Sequence, residues 1–297
     1  MAITLFTNSS AMSASNALQK ANSTLATAME HLGTGKRITK ASDDAAGLQV
    51  ATRLQGQTNG MAVAQRNIAD ASTMLQTGEG AMDEVSNIMY RMKDLATQGA
   101  TDTNTADSRK AIDTEMDSLK TELNSIMSNT SYAGNKLFSD TKDASGTVTS
   151  KAKMGAEMTF QTGSESGETT KVDVSSQLSN VFSSINTLST ASVQDSTDGK
   201  TSGTTNANAL IDTLNTALDN VSSLRSSFGA SINGLSHASA NLTNMKDNTD
   251  QALGNIQDAD FASEASKMTR SQMLAQTSTS MLKQSNSMSS LVMSILG

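Results

Sequence analysis

Toward the end of the chain, Leu274, Thr277, Met281, Gln284, Met288, Leu291 and Ile295 recur at alternating intervals of three and four residues. On a helix this spacing lines up one continuous stripe, the seam of a coiled coil, here with two polar members. The stretch Asp258–Leu296 that carries it contains neither Pro nor Gly. The same rhythm runs near the other end through Ala14, Leu18, Ala21, Leu25, Ala28 and Leu32, with smaller side chains that let a partner helix come close. Gly33 and Gly35 then predict a helix stop. A lone amphipathic helix cannot bury its own stripe. Each end is therefore expected to cover the other.

Between the ends the pattern predicts a rod. After a polar connector, Lys36–Asp44, the helix restarts with Ser42 as N-cap and Asp43 and Asp44 in its first turn. The longest unbroken 3–4 series follows, through Met61, Ala64, Ile68, Ala71, Leu75, Gly78, Met82, Val85, Met89, Met92 and Ala96, and places a helix over about 57–98. Gly78 and Gly80 weaken it by roughly 1 kcal/mol each relative to Ala, so close backbone packing is the expected reason for Gly there. Gly99–Asn104 reads as a turn. A shorter helix over about 107–129 carries Ile112, Met116, Leu119, Leu123 and Ile126 on one face.

Helical periodicity fades from Tyr132 to Thr205. Alternating runs at Met154–Thr162 and Thr169–Val174 flank the turn-rich Gly163–Gly167, which predicts a β-hairpin. A short helix is expected at Ser176–Leu188, and Ser189–Thr205 reads as a polar loop. Helix resumes over about 206–255, with Ala207, Ile211, Leu214, Leu218, Val221, Phe228, Ile232, Leu235, Leu242, Leu253 and Ile256 on one frame that Arg225, Ser239, Lys246 and Thr249 interrupt. A break at Gly254–Asp260 precedes the final helix. The predicted fold is mainly α: a long antiparallel helical coiled coil or bundle formed by both chain ends, with a small β-hairpin region in the middle. Its expected parts are a terminal coiled-coil domain (1–40 with 258–297) and a rod domain (41–257) holding a β-hairpin and variable segment at about 137–205.

Composition sharpens this reading. The chain is 36% hydrophobic and 3% aromatic, with no Pro, Trp or Cys. Absence of Pro leaves long helices uninterrupted; absence of Cys excludes disulfides and thiolate chemistry. A net charge of -7 argues against nucleic-acid binding, which needs a basic face. No run of about 20 apolar residues is present, so no membrane insertion is expected. The N-terminus lacks the signal-peptide pattern, its first basic residue being Lys20, which suits export without a cleaved signal. His31 and His237 are the only histidines and neither has a metal-spaced partner. There is no HExxH, phosphate loop or GxSxG elbow. The chain is expected to be no enzyme and to use no cofactor or metal.

Several strings then carry a family resemblance. Leu32–Ile38 (LGTGKRI), Ala41–Leu48 (ASDDAAGL), Ala64–Asp70 (AQRNIAD), Leu75–Met82 (LQTGEGAM), Arg91–Ala96 (RMKDLA) and Thr130–Leu137 (TSYAGNKL) resemble, in order, the N-terminal part of bacterial flagellins. Asp258–Gly297 resembles their C-terminus, notably Gln272–Gln276 (QMLAQ) and Ser280–Asn286 (SMLKQSN). The likeness covers about the first 140 and last 90 residues. One departure is Ser287-Met288-Ser289-Ser290, where flagellins commonly carry Pro-Gln. The resemblance implies an extracellular filament subunit, exported unfolded by the flagellar type III apparatus with a chaperone and polymerised beneath a filament cap upon hook-associated junction proteins. It implies chain ends that order on assembly, and a compact flagellin with little or no outer domain. It also implies a contact with a host toll-like receptor through Arg91, Leu95 and Ala96 with Glu115; Lys93 and Asp94 depart from the family's usual Arg and Glu. Two other readings are a hook–filament junction protein and a secreted helical translocator or adhesin. An enzymatic flagellin would need a zinc motif that the middle of this chain lacks.

Overall fold

The computed structural model describes residues 8–142, 148–150, 152–194 and 203–296, excepting the side chains of 141–142, 148–150 and 289–296. Among these residues six helices dominate: α1 (Ser9–Thr34), α2 (Ala45–Gly99), α3 (Ala106–Asn129), α4 (Ser175–Thr190), α5 (Gly203–Gln257) and α6 (Phe261–Leu296). The fold is mainly α, with small hairpins between α3 and α4, as the periodicity predicts. The chain divides into two compact units, one comprising residues 1–58 and 247–297, the other 59–246. Both divisions fall inside helices, α2 and α5, and not in connecting loops.

In the terminal unit, the αL conformation at Gly35 (φ 70°) ends α1, and its N–H donates to the His31 carbonyl. Gly33 stays inside the helix. The restart of α2 differs from expectation. Asp44, not Ser42, caps it: the Asp44 carboxylate accepts from the Gly47 N–H at 2.8 Å. Asp43 instead accepts from Thr39 and Lys40 N–H groups at 3.0 and 2.9 Å, closing the connector on itself. The helix thus begins at Ala45, two residues after the predicted restart, and runs without a break into the stripe predicted over 57–98, its first turns exposing most of their surface.

The middle unit has its own apolar core. Every member of the predicted α2 stripe from Met61 to Ala96 is buried. Facing them are Leu214, Ala217, Val221, Leu224, Phe228 and Leu235 of α5, with Met116, Leu123 and Met127 of α3 and Val181, Ile185 and Leu188 of α4. On α5 the predicted Ala207, Leu214, Val221, Phe228, Leu235 and Leu242 are buried, and only the alternate positions shift by one residue. Leu210, Ala217 and Leu224 are buried, whereas Ile211, Leu218 and Ile232 are only partly so. Arg225 therefore does not interrupt the seam; it flanks it and pairs with Glu79 and Asp83 of α2 at 2.8 and 2.9 Å. Gly78 packs as anticipated, since a Cβ there would meet Met154 Cε at 2.9 Å. Gly80 has open space around it.

Three two-stranded hairpins follow α3. Strands β1 (Ser131–Tyr132) and β2 (Asn135–Lys136) are joined through Ala133 and Gly134. Both have positive φ (48° and 80°), the backbone of a two-residue hairpin turn that matches strand twist. Strands β3 (Thr141–Lys142) and β4 (Val148–Ser150) pair next. Strands β5 (Met158–Gln161) and β6 (Thr169–Val172) form the predicted hairpin, registered Met158 to Val172 and Gln161 to Thr169. Met158 and Val172 turn into the core while Thr159 and Lys171 face water.

Candidate assembly surface at the chain ends

Helices α1 and α6 run antiparallel. Asn8 at the start of α1 donates to Ser285 Oγ at 2.8 Å, and His31 near its end lies 3.6 Å from Glu264. Beyond the helices, the Arg37 N–H donates to the Gln257 carbonyl at 2.7 Å and the Ala259 N–H to the Gly35 carbonyl at 2.9 Å, clamping the two connectors together. The N-terminal seam lies on the shared face: Ala14, Ala21 and Ala28 are buried, and Leu18, Leu25 and Leu32 half-buried.

The facing stripe on α6 is a different one from that predicted. Glu264, Ser271 and Ser278 are buried there, and Met268, Ala275, Leu282 and Ser285 half-buried, at intervals of four and three. Leu274, Met281 and Met288 are instead 53%, 61% and 63% exposed. They lie about 100° round the helix from the α1-facing row, the angle of a one-residue shift. Of the predicted C-terminal residues, only Leu282 turns toward α1; the side chains of Leu291 and Ile295 lie outside the described residues. The reading in which Leu274, Met281 and Met288 pack against Ala14–Leu32 of the same chain is therefore corrected. The fully buried positions of the inner face are mostly small, Ala14, Ala21 and Ala28 on α1 and Ser271 and Ser278 on α6, because short side chains let the two helices approach closely. Met268, Leu282 and the α1 leucines sit half-buried at the edges. Both ends, which the resemblance implies to order on assembly, are helical and paired here.

A further open surface in the same unit is a groove of about 750 Å³ at the start of α2, lined by Ala41, Ala45, Leu48 and Val50. At the α1–α6 interface, Glu264 is 5% exposed and accepts from Lys267 Nζ at 2.8 Å. That bond holds its carboxyl below the usual range, against the opposing pull of burial, with the Lys267 charge and His31 adding to the depression. Neither imidazole nitrogen of His31 has a hydrogen-bond partner among the described residues. A depressed carboxyl pKa contributes stability above its unfolded value, roughly pH 4.3, and loses it as pH falls through the lower folded value. The terminal helix pair should accordingly loosen below about pH 4, and Glu264→Gln should flatten that acid limb. Helicity recorded during thermal melts at neutral and acid pH checks this. Equal acid sensitivity in both proteins would contradict it.

In the middle unit, Arg91 of α2 donates to Glu115 of α3 through Nε (3.1 Å) and Nη2 (2.6 Å), with both side chains about half exposed. Leu95 is 2% exposed and belongs to the core. The structure thus brings Arg91 and Glu115 together at the surface and withdraws Leu95. Sequence reading passed over a buried polar row on α3. Asp113 accepts from Ser192 Oγ, the Val193 N–H and Gln194 Nε2 at 2.9, 3.2 and 2.7 Å. Arg109 donates to the Gly99 and Thr101 carbonyls, and Lys120 to the Ala191 carbonyl. The spacing 109, 113, 116, 120, 123, 127 was the available signal, a heptad row shared by charged and apolar residues.

A helical subunit with two coiled-coil seams, one satisfied and one open, is a building block for assembly. Residues 5–143 match the bacterial flagellin N-terminal helical region and residues 211–296 the bacterial flagellin C-terminal helical region. The chain is 32% identical to flagellin A of Vibrio anguillarum over the whole of both chains. It is 36% identical to a flagellin of Halalkalibacterium halodurans, covering 91% of this chain and 90% of that one. A putative flagellar hook-associated protein from Vibrio parahaemolyticus shares the fold, with a TM-score of 0.55 at 20% identity, over 73% of this chain and all of that one. The chain belongs to the bacterial flagellin family, and it is a structural subunit of the flagellar filament, outside the cell. No helix among the described residues is long and apolar enough to cross a membrane.

Proposed function

We propose that the subunit elongates its filament by seating the open α6 stripe, Leu274, Met281 and Met288, against terminal helices of neighbouring copies. The observation that carries this is the placement of the larger apolar side chains of α6 on the face that α1 leaves uncovered. A stripe of this length exposed to water in a free subunit favours association, since each buried methylene contributes about 0.8 kcal/mol. The α1–α6 pair then acts as a preformed two-helix wedge, and the groove beside Leu48 and Val50 offers a second apolar contact. Leu291 and Ile295 continue the same sequence frame. The polymer serves as the propeller for motility, reached by unfolded export with a chaperone and growth beneath a cap from hook-associated junction proteins. A junction protein shares the fold but would not elongate into micrometre filaments.

The test places one charge on each face. Met281→Asp should lower seeded elongation by at least about tenfold, because the carboxylate must be buried without a partner. Thr279→Asp, exposed on the far side of α6, should elongate nearly as the parent does. Sedimentation and negative-stain images read the outcome, and equal elongation by both variants would sink the proposal. The toll-like-receptor contact implied by the resemblance is supported at Arg91 and Glu115, which present paired charges to solvent, and not at the buried Leu95.

A further inference from the structure

The open stripe has a chemical property distinct from its shape. It carries two thioethers, Met281 and Met288, 61% and 63% exposed, and is bordered by a third, Met273 beside Leu274, 58% exposed. In the same chain Met61, Met82, Met89, Met92, Met116 and Met154 are 0% exposed. Exposed thioethers react with two-electron oxidants, while buried ones are shielded. We infer that Met273, Met281 and Met288 form an oxidation site that peroxide-class oxidants modify in the free subunit, and that their conversion to sulfoxides blocks filament growth. The inference rests on the assembly reading above.

The chemistry balances simply. A sulfur lone pair attacks one peroxide oxygen and the O–O bond breaks. The sulfur gains an S=O bond and is oxidised by two electrons, and the second oxygen leaves as water after a proton shift. Three flexible apolar side chains thereby become polar ones with strong acceptor oxygens. On a free helix this is tolerated, because all three are more than half exposed and lie off the row that α1 covers. The intramolecular row, Glu264 to Ser285, keeps only the half-buried Met268 and depends on small residues. Oxidation should therefore leave the folded subunit intact and act on association. The polar acceptors would have to enter an apolar seam that, on the assembly reading, supplies no donor to them. Assembly in turn would shield the same sulfurs.

The experiment uses the full chain and hydrogen peroxide as probe. Free subunits and seeded filaments are exposed to equal doses, and each methionine is quantified by peptide mass spectrometry. Free subunits should be oxidised at Met273, Met281 and Met288 several-fold faster than filaments, with Met82 and Met116 unmodified in both. Oxidised subunits should keep their helicity and elongate seeds at least tenfold more slowly, and a methionine sulfoxide reductase should restore elongation. In the parent the ratio of peroxide-treated to untreated elongation should fall at least about tenfold, whereas in the Met273→Leu, Met281→Leu, Met288→Leu triple variant, whatever its untreated rate, it should stay near one. Its exposed Met12 and Met29 remain oxidisable, so inhibition of this variant equal to that of the parent would overturn the inference. So would undiminished elongation by oxidised parent. Failure of untreated protein to elongate would overturn the assembly reading and this inference with it, an outcome told apart by needing no oxidant.

Discussion

Removing residues 258–297 should abolish seeded filament growth while leaving the middle unit folded. The truncation takes away all of α6, and with it the open stripe and the inner row that covers Ala14, Ala21 and Ala28. Left alone, the 26 residues of α1 lose the partner to which Asn8 bonds through Ser285. Isolated helices of that length are marginal in water, since most helical stability in proteins comes from packing of the apolar face. The expected spectroscopic result is a helicity loss larger than α6 itself, because α1 frays as well. The middle unit should keep its unfolding transition. Its core draws on α2, α3, α4 and α5 between Met61 and Leu242 and takes nothing from residues beyond 247. Circular dichroism, denaturant titration and electron microscopy of seeded samples together check the claim. A truncated chain that extended seeds would remove α6 from the mechanism, and a truncated chain without a cooperative transition would show the units to be interdependent.

Why the sequence revealed the α2 seam fully and the α6 seam on the wrong face is a matter of side-chain size. On α2 the buried row carries Met, Leu, Ile and Val, so hydrophobicity and burial coincide from Met61 to Met92. On α6 they part. Glu264, Ser271 and Ser278 are buried against an Ala-rich helix, while Leu274 and Met281 stand in water. Hydrophobic periodicity finds the stripe that most needs covering, which in an assembling subunit is the one its neighbours cover. It does not find a face where short side chains let backbones approach. Half of the α5 frame was displaced by one residue for a related reason: Ile211 and Leu218 outweigh Ala217 in apolarity, yet Ala217 is the fully buried one. The cap at Asp44 was missed because Ser42, Asp43 and Asp44 are all competent acceptors, and only the path of the connector selects among them. The buried Asp113 escaped because its heptad row mixes charged with apolar residues, and the partners that satisfy it, Ser192 to Gln194, lie some eighty residues away.

Phe228→Ala should be the most damaging single truncation in the middle unit, costing about 3–5 kcal/mol. Phe228 is fully buried and the bulkiest of the fully buried side chains. Its ring sits over α2 where Gly78 leaves the backbone bare: a Cβ at position 78 would meet Phe228 Cε2 at 3.5 Å and Met154 Sδ at 3.3 Å. Ring, thioether and glycine thus share one space, and losing the ring opens a cavity that rigid helices on either side cannot close. Met154, with its flexible thioether, can move in. This makes the site's coupling testable. In the parent, Gly78→Ala recovers about 1 kcal/mol of helix propensity but brings its methyl within 2.9 Å of the buried Met154 Cε. That overpacking costs about 1–3 kcal/mol, so the net effect should lie between about zero and about 2 kcal/mol destabilising. With the ring already removed, Met154 can swing aside and the new methyl fills part of the hole. The double variant should therefore be more stable than the sum of the two single effects implies, by at least about 1 kcal/mol, as expected of residues in contact. Denaturant titrations of the parent, both single variants and the double variant measure that difference. Strict additivity would show that the glycine and the ring do not share the space their contacts with Met154 imply.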